Sequence, residues 1–71
     1  MHARRFQLNR RVDHTGLSGT GTVADGIEWP DGTVVLRWRG DRSSTVYWSS
    51  IEDVEAIHGH DGDTAVEWVD Q

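Results

Sequence analysis

The sequence predicts a mainly β chain, a small, strongly bent antiparallel sheet or barrel of about five strands with one short helix before the last strand. Three observations carry that prediction. Apolar and polar residues alternate with period two in several short runs, of which Val34–Trp38 is the clearest. The segment Trp29-Pro30-Asp31-Gly32-Thr33 joins two such runs. It is a hairpin signal, because Pro presets φ for a type I turn and Gly accepts the left-handed conformation that re-pairs the strands. Finally, only residues 49–59 change to a helical spacing.

Taken in order, Arg4-Arg5-Phe6-Gln7-Leu8 suits a first strand, with Phe6 and Leu8 on one face and Arg5 and Gln7 on the other. Residues 13–21 are rich in Gly, Ser and Thr, lack periodicity and read as a loop. A second strand begins near Thr20 or Thr22, with a bulge or bend expected at Asp25-Gly26 so that Val23 and Ile27 face inward. After the turn, Val34, Leu36 and Trp38 fall on the core face, and Thr33, Val35, Arg37 and Arg39 on the wet face. Residues 40–44 make a second turn, and Thr45–Trp48 a fourth strand with Val46 and Trp48 inward and Tyr47 outward.

The helix follows from four features. Ser49 or Ser50 can cap it; Glu52, Asp53 and Glu55 complement the positive end of its dipole; Ile51, Val54 and Ile57 recur every three residues; Gly59 terminates it. Thr64 to Val69 is the last strand, with Val66 and Trp68 on one face and Ala65, Glu67 and Val69 on the other.

At 71 residues the chain is expected to be a single domain over 1–71, near the size where one core only just offsets conformational entropy. Without Cys, disulfides and Cys-based zinc sites are excluded as supports, which leaves self-association open. No apolar run is long enough for a membrane span or signal peptide, so a cytoplasmic location and no membrane partner are expected. The net charge of −5 is split: residues up to 42 carry seven Arg against five acids, and residues from 43 onward carry seven acids and no Lys or Arg. All seven cations are Arg, which points first to a GC-rich genome. The acidic total argues against general nucleic-acid binding.

Candidate chemistry is sparse. The spacing Gly16, Gly19, Gly21 is not a phosphate loop, because a strand rather than a helix follows and the phosphate-binding Lys is missing. His58, His60, Asp61 and Asp63 concentrate zinc-compatible donors within six residues, with His14 a distant helper. The competing reading places His58 at a helix carboxyl end and has Asp61 and Asp63 stabilising a turn, and no metal or other cofactor is expected. No Cys or Lys nucleophile exists and the serines fall in turns and caps, so the chain reads as a non-enzyme.

The aromatic set is more informative. Four Trp and one Tyr exceed what so small a core houses, which places Tyr47 on the surface beside Arg37, Arg39 and Arg42 as a binding face for a protein partner or a second copy. The alternative is a nucleic-acid patch of Arg4, Arg5, Arg10 and Arg11, which equally reads as charges that block edge-to-edge aggregation.

The order of strand, loop, long bent hairpin, short strand, helical turn and final strand resembles SH3-like small barrels of the Tudor and KOW kind, with Asp31-Gly32 and Val35-Leu36-Arg37-Trp38 as the nearest echo. Thr15-Gly16-Leu17-Ser18-Gly19-Thr20-Gly21, the Trp29–Thr33 turn with Leu36-Arg37-Trp38, Ser44-Thr45, and Ile57-His58-Gly59-His60-Asp61-Gly62 together resemble a family of small single-domain proteins of actinobacteria and their phages. That likeness covers nearly the whole chain. It implies a cytoplasmic, stand-alone module and supplies no activity or binding residue.

Overall fold

The computed structural model describes residues 2–11, 20–59 and 62–70. Its elements are β1 (Arg4–Arg10), β2 (Gly21–Glu28), β3 (Val34–Trp38), β4 (Thr45–Trp48), α1 (Ile51–His58) and β5 (Thr64–Trp68). The five strands form one antiparallel sheet in the order β4-β3-β2-β1-β5. Among the described residues no ladder joins β4 to β5, so the sheet is open, and α1 packs against both edge strands instead.

The β2–β3 hairpin turns as its residues dictate. Gly32 N–H donates to Trp29 O at 2.9 Å and Trp29 N–H to Thr33 O at 2.8 Å, with Gly32 at φ 91°, a left-handed value that costs a residue without Cβ little. Asp31 Oδ1 accepts from Thr33 N–H at 3.0 Å and from its hydroxyl at 2.6 Å, which fixes the exit from the turn.

One face of the sheet is core. Phe6, Leu8, Ala24, Val34, Leu36 and Val54 are buried, with Val23, Trp38, Trp48, Ile51 and Val66 packed around them. The alternation expected of β1, β3, β4 and β5 holds, although Val46 on the edge strand keeps 37% of its surface exposed. β2 meets expectation at Val23, which packs against the core, and departs from it in its bulge and at Ile27. Its register slips between Leu8 and Asn9, where Leu8 pairs with Ala24 and Asn9 with Thr22, so the extra residue is Val23 rather than one at Asp25-Gly26. Ala24 and Gly26 therefore face the core, and Ile27 lies on the opposite face. Gly26 is small for a packing reason: a Cβ there would stand 2.2 Å from Phe6 Cζ.

Ser50 caps α1 through a hydrogen bond from Asp53 N–H to its hydroxyl at 3.2 Å, and Glu52 and Asp53 occupy the first turn. Only Val54 of the three expected aliphatics is fully buried, and Ile57 is 58% exposed. No helix among the described residues is long and apolar enough to cross a membrane.

Candidate functional site

The face opposite the core is organised by register into two rows running across the sheet. One row is Arg5, Ile27, Val35 and Tyr47, each on its own strand; the next is Gln7, Asp25, Arg37 and Thr45. A shallow groove of about 460 Å³ follows these rows and continues to Val69. Its apolar floor is Ile27 and Val35, both half-buried, and Tyr47 stands beside Val35 with 62% of its surface exposed.

Ion pairs rim the floor. Asp25 accepts from Arg39 Nε and Nη2, each at 2.9 Å, and from Gln7 Nε2 at 3.4 Å. These bonds hold the Asp25 carboxyl below its ordinary range, chiefly through Arg39 and against the opposing effect of desolvation. At the other end Arg5 donates to Asp70 through Nε at 3.0 Å and Nη2 at 2.9 Å, and its backbone N–H adds a third bond at 2.9 Å. With Arg5 as the principal cause, Asp70 is pushed down to about 2. Asp31, bonded to Thr33, is likewise lowered.

Arg37 differs from Arg5 and Arg39. Its Nε donates to Thr45 Oγ1 at 3.1 Å, which draws the guanidinium over the edge strand β4, and among the described residues it has no carboxylate partner. The expected binding residues therefore divide: Tyr47, Arg37 and Arg39 share this face, whereas Arg42 lies in the exposed turn between β3 and β4.

The four-Arg cluster is not gathered into one patch. Arg4 bonds Glu28 at 2.7 Å and 3.2 Å and lies 3.9 Å over the Trp68 ring, and Arg5 is on the opposite face with Asp70. Arg10 lies at the far end of β1, about 20 Å from Arg4 by strand rise, with Arg11 next to it.

Of the candidate metal ligands, His14, His60 and Asp61 lie outside the described residues. His58 is wedged edge-to-face between two indoles, 4.8 Å from Trp38 and 5.6 Å from Trp48, so it contributes to packing at the end of the core. The Asp63 carbonyl accepts from Arg11 N–H at 2.6 Å and helps start β5. Among the described residues no three His, Asp or Glu side chains are placed to hold a metal ion together.

A family model described as Acb5 phage protein matches residues 3–70, from just before β1 to just after β5. The chain belongs to that family. The expected kinship with small phage proteins is thereby shown, and in this member of the Acb5 phage protein family every strand and the helix fall within the matched span. No curated protein and no solved structure gives a significant match.

Sequence reasoning missed Ile27 and Thr45 as parts of this face. Thr45 carries no special signal, since its role comes from lying opposite Arg37 across the β3–β4 ladder. Ile27 was hidden by the position of the bulge, because moving the extra residue from Asp25-Gly26 to Val23 reverses which face it takes.

Proposed function

We propose that this member of the Acb5 phage protein family is a non-enzymatic binding module that engages a protein partner through the outer sheet face centred on Tyr47 and Arg37. The observation that carries the reading is the pairing of an apolar row, Ile27 and Val35 flanked by exposed Tyr47, with a row in which Arg37 is free of carboxylates among the described residues. Aromatic and Arg side chains around an apolar centre are what protein interfaces concentrate. Arg39, fixed by Asp25, forms the rim, and Arg42 extends the basic side, which favours an acidic partner surface.

The carboxylates support a binding role over catalysis. Asp25, Glu28 and Asp70 are each engaged by Arg, and Asp25 and Asp70 are held ionised well below neutrality, where they make poor general acids. The finer fold reading is an SH3-like barrel opened between β4 and β5, supported by the strand order and by the helix inserted before the last strand. A cytoplasmic setting is part of the same reading, in keeping with a Cys-free sequence.

The test is affinity capture from a lysate of infected host cells, followed by titration of the captured protein. The double variant Y47A/R37A is expected to weaken binding by about a hundredfold, as loss of two central anchors does, while R10A/R11A leaves it within a fewfold. Equal capture by wild type and Y47A/R37A removes this surface from consideration.

A further inference from the structure

We propose that the β4 edge is a self-recognition strand, and that two copies of the chain pair β4 to β4 across a two-fold axis at Val46, joining their sheets into one. The inference concerns the backbone edge of β4 and a second copy of the chain, so it goes beyond the partner reading above, although Arg37 and Tyr47 serve in both.

The orientation of backbone groups carries the first step. Trp38 N–H donates to Ser44 O at 2.9 Å, so the pair Trp38 and Ser44 is hydrogen-bonded. Bonded and non-bonded pairs alternate along an antiparallel ladder. In the observed register Val46 and Trp48 therefore turn their N–H and C=O groups towards β3, and Thr45 and Tyr47 turn theirs to the open edge. Both residues are exposed, and no backbone bond within the described chain reaches that side of them.

Unpaired edges are normally blunted by charge, Pro or a bulge. Thr45-Val46-Tyr47-Trp48 has none of these. The other edge is different. Arg5 O accepts from Val69 N–H and Asp63 O from Arg11 N–H, so the outward groups of β5 are those of Thr64, Val66 and Trp68, and Thr64 N–H is already bonded to Gly59 O at 3.1 Å. Glu67 stands exposed on that strand and sets like charges together when two copies of the edge approach. Antiparallel pairing of β4 with β5 of another copy would set Tyr47, on the outer face, opposite a core-facing residue, which turns one sheet over relative to the other.

Self-pairing of β4 meets none of these obstacles. A perpendicular two-fold keeps both outer faces on the same side, and pairing Thr45 with the partner's Tyr47 uses all four outward backbone groups of each strand. The exposed Val46 then packs on the partner's Val46 beneath the sheet. Above it, the Arg37 guanidinium, held over Thr45, comes beside the ring of the partner's Tyr47, a cation–π arrangement made twice.

Sedimentation of the purified full chain, alone, over a range of concentrations decides the matter, read together with amide exchange at Thr45 and Tyr47. A species of twice the 8.0 kDa chain mass is expected, with those two amides protected only where it is populated. T45P removes an outward N–H while leaving the Val46 and Trp48 bonds to β3, and it should give monomer. V46E, a change at a partly exposed edge residue that keeps the proposal testable whether or not T45P folds, sets like charges opposite each other across the axis and should weaken association about tenfold, and mixing it with V46K should restore it. Three results overturn the proposal: a monomer at every concentration, a dimer indifferent to V46E with fast exchange at Thr45 and Tyr47, or protection of those amides only when a different protein is added. Because no other protein is present in the first measurement, its failure leaves the lysate-capture result unaffected.

Discussion

The packing of Phe6 on Gly26 makes the sharpest stability prediction. Phe6 is 1% exposed, its ring edge-to-face with Trp68 at 5.3 Å on one side and lying over the Gly26 backbone on the other. In G26A the new methyl would sit 2.2 Å from Cζ and 2.5 Å and 2.6 Å from the two Cε atoms. Gly26 is not among the glycines with positive φ, so Ala suits the backbone and its whole penalty is steric. Overpacking of this kind costs about 1–3 kcal/mol. Reduced freedom of the unfolded chain returns about 0.4–1 kcal/mol. The net expectation is a loss of about 1–2 kcal/mol, a fall in Tm of roughly 4–16 °C for a domain this small. Urea unfolding followed by Trp fluorescence measures it. A second arm isolates the cause: in an F6L background the ring is gone, so G26A should cost far less than it does alone, a coupling expected of residues in contact. If G26A is as stable as wild type, or costs the same with and without the Phe6 ring, the explanation of this glycine is wrong.

Further outcomes follow from the caps and ion pairs. Since Arg5 depresses Asp70 from its ordinary 3.8 to about 2, the pair stabilises the fold above about pH 4 and loses that contribution as pH falls towards 2; Tm measured against pH should drop across this window in wild type and more shallowly in D70N. S50A removes the acceptor for Asp53 N–H and should lower stability by about 1 kcal/mol, whereas S50D should retain most of it, as judged by the urea midpoint. R4K keeps a positive charge near Glu28 but not the planar group bonded there through Nε and Nη2 and lying over Trp68, so thermal melts should place R4K between wild type and R4A within a total span of about 1 kcal/mol.

Several elements were legible because local chemistry alone decides them. Asp31 and Gly32 specify their turn without help from the rest of the chain, and Ser50 with Glu52 and Asp53 marks the start of α1. Alternation placed Phe6, Leu8, Val34 and Leu36 in the core and Tyr47 and Arg37 outside it, since a strand buried on one face must keep its apolar side chains in phase. β2 was misread at Ile27, though not at Val23, because the fully buried residues of the strand, Ala24 and Gly26, are among its smallest. Phe6, Leu8 and Leu36 fill the space above Ala24 and Gly26, so the strand's large apolar residue, Ile27, is left for the other face.

The sequence by itself therefore determined the strands, the hairpin and the capped helix, which depend on short-range spacing, and membership of a small phage family, which rests on a likeness along nearly the whole chain. Tertiary structure decided the pairing of charges and the identity of the edges. Asp25 with Arg39 and Arg5 with Asp70 are ion pairs between residues far apart in the chain, and they leave Arg37 without a carboxylate among the described residues. Which backbone groups of β4 face outward depends on a ladder register set by the β3–β4 turn. That is a long-range geometric consequence no residue announces, because a hydrogen-bonding direction belongs to the pair of strands and not to either one alone.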